Sequence, residues 1–270
     1  PGAAVAFDDA MAGKNVFLTG GAGVGKSHTL TQIVRHLSSE TYAFTASTGC
    51  AAAIVGASTM HSALGIGLAS QPAKTYAIKI KKNNPAVYQR IRRIRTLILD
   101  ECSMMDGATF NKAGLVVGML KQDWQYWSED YMSKADNFTL WQDMQIICCG
   151  DFMQLPPVQV KDNGWIFASR AWKELKFRNH VLTMIHRQAG DPTYAEVLSR
   201  VRVGMATSAD VTYLMQNCMQ EEPDNCLKLF AVNKPATELN EQKFNELMQA
   251  GNMPHTFTAI DWSDKPQNLI

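Results

Sequence analysis

The 270-residue sequence predicts an α/β protein in which a parallel β-sheet is covered by helices on both faces. Three observations predict it. Short apolar runs alternate with stretches of helical periodicity, and each run ends in glycine or acid: residues 15–19 before Gly20, 97–99 before Asp100-Glu101, and 146–149 before Gly150-Asp151. The first run opens directly into Gly20-Gly21-Ala22-Gly23-Val24-Gly25-Lys26-Ser27, which fits the phosphate-binding P-loop pattern and lies between a predicted strand and a predicted helix. The chain is also long enough, and at 46% hydrophobic residues apolar enough, to bury a substantial core.

Taken in order, the elements follow from local patterns. Leu30, Ile33, Val34 and Leu37 recur at helical spacing behind the glycine loop. A strand is expected over 42–47 and a helix over 51–55, behind Thr48-Gly49; buried strands follow over 97–99 and 146–149. After Pro156-Pro157 the pattern changes, with helices expected over 168–175, 194–203 and 236–248 and strands over 181–184 and 227–231. This divides the chain into a first domain, 1–178, carrying a small basic insertion at about 66–95, and an incomplete second α/β domain, 179–270. A start at Pro1 rather than methionine, and an end at Ile270 soon after the polar stretch 261–268, are expected of a piece of a longer protein.

The net charge of +1 argues neither for nor against a nucleic-acid partner, but its distribution is uneven. Between His61 and Leu99 stand eight basic residues, Lys74, Lys79, Lys81, Lys82, Arg90, Arg92, Arg93 and Arg95, with no acid among them, and residues 100–143 lean acidic. No run approaches the roughly 20 apolar residues that cross a bilayer, and no secretory signal opens the chain. A soluble protein of the cytoplasm, nucleus or an organelle matrix such as the mitochondrion's is expected, with no membrane partner. The six cysteines lack paired zinc-ligand spacing and are expected to be reduced, buried and structural.

The P-loop carries the strongest chemical signal. Its glycines let backbone N–H groups converge on phosphate oxygens at a helix N-terminus, where the helix dipole favours negative charge. Gly20 to Ser27, with the following His28, form the expected ATP-binding segment; Lys26 would contact the β and γ phosphates, and the Ser27 hydroxyl would ligate Mg2+. Asp100 and Glu101, delivered at the carboxyl end of a buried strand, can divide the remaining work: Asp100 holding the metal ion, Glu101 orienting and deprotonating the attacking water. Gln154, behind a third strand and ahead of two prolines, is either a γ-phosphate sensor or a polar loop residue. Residues 124–141 contain Trp124, Trp127 and Trp141 with three further aromatic residues, which could stack on bases or form a local apolar cluster.

Several motifs in fixed order extend the pattern: Thr45-Ala46-Ser47-Thr48-Gly49, Thr59-Met60-His61-Ser62, Asp100-Glu101-Cys102-Ser103-Met104, Gly150 through Pro157, Trp165-Ile166-Phe167, His186-Arg187-Gln188 and Arg202-Val203-Gly204. Together with the P-loop, they resemble the petite-integration-frequency (Pif-type) DNA helicases of the RecD-related branch of superfamily one. The resemblance implies two RecA-like domains, the second incomplete here. It implies ATP-driven 5′ to 3′ movement on single-stranded DNA with unwinding of duplex or forked DNA, by a monomer, in repair, recombination or telomere and genome maintenance. Arg187 then corresponds to an arginine finger, and Ser47, Thr48 and His61 to residues that contact the DNA backbone. The basic stretch falls where this family inserts a wedge subdomain, whose charges would neutralise phosphates unless they form only a solvated face. The sequence departs from the family in one respect: residues 1–14 contain no glutamine to read adenine.

Overall fold

The computed structural model describes residues 2–122, 138–157, 164–219 and 226–258, which belong to two compact units, Pro1–Val211 and Thr212–Ile270. The first unit is built on six strands: β1 Val16–Gly20, β2 Tyr42–Ala46, β3 Ser58–Thr59, β4 Thr96–Asp100, β5 Gln145–Cys149 and β6 Arg178–Leu182. Their order is β3-β2-β4-β5-β1-β6, and every pairing is parallel. The central strands are continuous apolar runs because both their faces are covered. Side-chain alternation divides them between two cores: Leu97, Leu99, Ile146 and Cys148 enter one cluster, while Ile98, Ile147 and Cys149 enter the other with Val16 and Leu18.

Helices α1 Gly2–Met11 and α2 Lys26–His36 serve the second cluster through Ala6, Ala10, Leu30 and Ile33. The first cluster is larger. It is closed by α4 Met60–Leu64, α5 Ala73–Asn83, α6 Pro85–Arg93, α7 Gly107–Lys121 and α8 Arg170–Leu175; α3 Gly49–Ile54 follows β2. Most of α7 is buried, and Asp106 caps its start by accepting a hydrogen bond from the Thr109 N–H at 2.8 Å. The tryptophan-rich stretch lies mostly outside the described residues, but Trp141 is a core residue packed 4.9 Å from the Phe110 ring.

The basic insertion is part of this core. Ala73, Ala77 and Ile80 of α5, with Val87 and Ile91 of α6, sit in one apolar cluster with Phe110 and Val117 of α7. Its arginines are anchored as well: Arg90 donates to the Ala63 carbonyl from Nε at 3.0 Å and Nη2 at 2.6 Å, and Arg92 Nη1 donates to the Lys121 carbonyl at 2.5 Å. Both cap helix C-termini, of α4 and α7, where unsatisfied carbonyls attract cations.

A second domain is expected to begin after residue 178, at the strand predicted over 181–184. The strand predicted to open the second domain is β6, which pairs with β1 from Val16↔Arg178 to Gly20↔Leu182 and forms an edge of the first sheet. A sequence pattern specifies a strand but not which neighbour takes its backbone bonds. The first unit therefore continues through α9 Pro192–Arg202 into the start of α10 Ser208–Cys218. Thr207 and Asp210 form a capping box there, and Arg200 grips Asp210 with both Nε and Nη2, the latter at 2.6 Å.

In the second unit, α11 Asn233–Gln249 buries none of its residues, and the strand expected over 227–231 does not form. A strand needs a partner for its N–H and C=O groups, and the described residues of this unit provide none. The cysteine expectation is half right: Cys102, Cys148 and Cys149 are buried, whereas Cys50, Cys218 and Cys226 are exposed. No helix among the described residues is long and apolar enough to cross a membrane.

Candidate nucleotide site

The carboxyl ends of β1, β4 and β5 meet along one edge of the sheet, the position where open parallel sheets bind ligands. Leaving β1, the chain turns through glycines that no other residue could replace without strain. Gly20 has φ 142°, and a Cβ there would stand 2.2 Å from the Leu182 carbonyl oxygen; Gly23 has φ 73°, and its Cβ would stand 2.6 Å from the Arg187 Cβ. Gly25, also at positive φ, then leads into α2 at Lys26.

A cavity of about 680 Å³ opens at this loop, lined by residues 22–29 with Ala3, Glu101, Gln154, His186 and Arg187. It gathers residues from separate stretches of sequence. Lys26 Nζ donates to the carbonyls of Gly20 at 3.0 Å and Gly21 at 2.9 Å, acceptors occupying donors that phosphate oxygens would otherwise take. Ser27 Oγ donates to Asp100 Oδ2 at 3.2 Å. A hydroxyl and a carboxylate brought together beside the loop form an oxygen donor set that fits a magnesium–nucleotide complex. His28 lines the same cavity from the exposed side of α2, where its Nε2 lies 3.5 Å from Gln32 Nε2.

Glu101 is held in an unusual backbone state, φ 51° and ψ 41°, a left-handed conformation that costs a non-glycine residue about 1–2 kcal/mol. Its surroundings fix it there. Its N–H donates to Asp100 Oδ1 at 2.9 Å, and its carbonyl accepts from Ser47 Oγ at 2.7 Å and from the Met104 N–H at 3.1 Å. Burial, and then the neighbouring Asp100 carboxylate, push the Glu101 carboxyl above the usual carboxylate range against the opposing pull of Lys26. A raised pKa suits a proton acceptor.

Arg187 reaches the cavity because its segment is docked on the P-loop by backbone: the N–H groups of His186 and Arg187 donate to the Gly23 carbonyl at 2.8 and 3.3 Å. Gln154 is held from the other side, with Nε2 donating to Asp151 Oδ2 at 2.9 Å. Asp151 is only 1% exposed and pairs with Arg202, whose Nε and Nη2 donate at 2.7 and 2.6 Å. Neither Asp151 nor Arg202 stands out as a site residue in the sequence, although one lies in the Gly150–Pro157 motif and the other in Arg202-Val203-Gly204; only the fold brings residues 51 positions apart into contact.

The expected DNA contacts follow neighbouring strand ends: Ser47 and Thr48 come just after β2 and His61 just after β3, which pair through Ala46↔Thr59. His61 lines a separate groove of about 660 Å³ with Asn84 and Arg90, and its imidazole pKa is lowered by burial against the pull of Asp106. Neither Ser47 nor Thr48 is in that lining. Ser47 donates its hydroxyl to Glu101, and Thr48 caps α3 by accepting from the Ala51 N–H at 3.2 Å.

A strand–P-loop–helix unit, an acidic pair at the end of β4, one strand removed from β1 across β5, and a parallel sheet define the first unit as a P-loop nucleoside-triphosphatase domain. Comparison with known proteins specifies the class. The family model described as PIF1-like helicase matches residues 4–209, and the chain belongs to that family. It is 32% identical over 256 residues to the ATP-dependent DNA helicase PIF1 of Danio rerio, covering 93% of this chain and 37% of that protein. It is 32% identical over 249 residues to the ATP-dependent DNA helicase Pif1 of Bdellovibrio bacteriovorus, covering 92% of this chain and 53% of that protein. The crystal structure of Pif1 helicase from Candida albicans superposes with a TM-score of 0.79 at 31% identity, over 91% of this chain and 54% of that one. The chain thus spans between about a third and about half of the length of these relatives.

Proposed function

We propose that this chain is the nucleotide-hydrolysing portion of a DNA helicase that moves 5′ to 3′ on single-stranded DNA and separates duplex or forked DNA ahead of it. One observation carries the reading: Lys26, Ser27, Glu101, Gln154 and Arg187 converge on a single cavity at the carboxyl edge of the sheet. Membership of the PIF1-like helicase family, whose relatives are named ATP-dependent DNA helicases, supports it.

In this reading Lys26 leaves the Gly20 and Gly21 carbonyls for the β and γ phosphates, and P-loop N–H groups hold the remaining phosphate oxygens. Magnesium, held by Ser27 and Asp100, would supply neutralisation of the phosphate charge. Glu101 takes the proton of the attacking water, Gln154 orients that water against the γ phosphate, and Arg187 stabilises charge building on the transferred group. Ser47 touches Glu101 through its carbonyl, so DNA held at Ser47 and Thr48 would act directly on the base. His61 would contact the DNA backbone from its own groove.

The working unit is proposed to be a monomer on single-stranded DNA, acting in repair, recombination or genome maintenance wherever the cell keeps DNA. The second motor domain is proposed to begin beyond β6 and to draw on the second unit. Steady-state ATPase with and without single-stranded DNA tests the central claim. Stimulation by DNA is expected; turnover indifferent to DNA marks a generic ATPase, and nucleotide binding without turnover marks a binding module.

A further inference from the structure

Asp151 stands just past the end of β5, almost fully buried, and both of its oxygens are occupied. Oδ1 accepts from Arg202 Nη2 at 2.6 Å and from the Met153 N–H at 3.1 Å; Oδ2 accepts from Arg202 Nε at 2.7 Å and from Gln154 Nε2 at 2.9 Å. The Gln154 N–H also donates to the Asp151 carbonyl at 3.0 Å, so the two residues are tied through main chain and side chain. Arg202 arrives from the last turn of α9 and runs alongside the P-loop, its Cδ 3.8 Å from where a Cβ on Gly21 would stand.

We propose that Arg202 is a positioning residue for hydrolysis: by pairing with Asp151 it fixes the amide of Gln154 in one orientation at the nucleotide cavity. The inference rests on the hydrolysis reading above. An ionised carboxylate only accepts hydrogen bonds, so the group that Gln154 turns towards it must be the amide nitrogen. The amide carbonyl oxygen and one N–H are then left for the cavity, the carbonyl as acceptor for a proton of water. Burial by itself would raise the Asp151 pKa, but the Arg202 hydrogen bonds, aided by the Met153 and Gln154 N–H groups, hold it below the usual carboxylate range. Without Arg202 the buried acid would protonate more readily. A protonated acid can donate as well as accept, so the amide could sit either way round, and the acceptor facing water would be lost in part of the molecules.

The test is a double-mutant cycle on ATPase in the protein at its full natural length, with Arg202→Gln, Gln154→Ala, both together, Arg202→Lys, and Lys26→Ala as reference. Arg202→Gln should lower kcat by up to about 100-fold with little change in KM for ATP, the scale of loss when a reacting group is displaced by about an ångström. The double variant should be no slower than Gln154→Ala alone. The acid limb of the Arg202→Gln pH profile should move to higher pH, with activity partly recovered as Asp151 ionises, and Arg202→Lys should fall between, because it keeps the charge without the two-pronged geometry. Losses that multiply in the double variant, or an acid limb that stays in place while thermal stability falls, would assign Arg202 a merely structural role and overturn the proposal. Full activity in Gln154→Ala with Lys26→Ala inactive overturns it while leaving the hydrolysis reading intact. Full activity in Lys26→Ala removes the hydrolysis reading itself.

Discussion

The Lys26 ammonium rests against two loop carbonyls, so its replacement leaves the sheet and both apolar clusters untouched. Lys26→Ala is expected to abolish hydrolysis while preserving the circular dichroism spectrum, because transition-state charge loses several kcal/mol of stabilisation. Asp100 and Glu101, though adjacent, should respond differently. Glu101→Gln keeps the shape and loses the base, so magnesium–nucleotide binding should survive while turnover falls by about 100-fold or more; Asp100→Asn should weaken magnesium-dependent binding, since Asp100 is the partner of Ser27. The pH dependence follows from the direction of the Glu101 shift. Only the carboxylate accepts a proton, so the rate should rise with pH through a pKa above the usual carboxylate range, and that acid limb should vanish in Glu101→Gln. An acid limb at the ordinary position of an exposed glutamate would remove Glu101 from the role of base. These residue types and their spacing were legible in the sequence. The left-handed backbone of Glu101 and its hydrogen bond from Ser47 were not, because both arise from the parallel register that sets Ala46 opposite Asp100.

At the scale of elements, α5 and α6 combine two roles that the sequence presented as one charge run. Their apolar faces pack with α7, and Arg90 and Arg92 hold helix ends. Replacing Arg92 by alanine is therefore expected to cost about 1 kcal/mol of stability, read by urea unfolding, through loss of a charge-assisted bond to backbone carbonyls. Lys82→Gln and Arg93→Gln, on the same pair of helices, should instead act on DNA. For every phosphate left without its cation, the slope of log affinity for oligothymidine against log salt should flatten by roughly 0.7. An unaltered slope would mark the insertion as a solvated face of a structural layer. The sequence showed this stretch only as a basic insertion; its two helices and the partner that buries them, α7 across an intervening strand, came from the structure.

At the scale of the whole molecule, the two units differ in how much they bury. The first contains both apolar clusters, whereas no residue of α11 in the second is buried. Limited proteolysis should therefore cut first within Thr212–Ile270 and leave Pro1–Val211 as the persistent product. Magnesium–ATP at about 100 times its Kd should stabilise the first unit by about 2.7 kcal/mol, a rise in Tm of roughly 5–10 °C for a domain of this size. A melting curve unmoved by nucleotide would show that the cavity at the P-loop does not bind it.

The sequence by itself determined the local features: a phosphate-binding loop between strand and helix, acids at the end of a buried strand, a parallel α/β architecture, and the family, since each rests on short-range pattern and fixed spacing. Tertiary structure alone decided which distant groups meet. It placed β6 in the first sheet, because hydrogen-bond partners are a property of neighbouring strands rather than of a strand's own residues. It brought the segment that follows β2, with Ser47 and Thr48, beside the segment that follows β3, with His61, through the parallel pairing Ala46↔Thr59. It also joined Arg202 to Asp151 across 51 residues, a pairing with no periodic signature, because a charge buried against its counter-ion depends on where two chain segments pack and not on how either one is spelled.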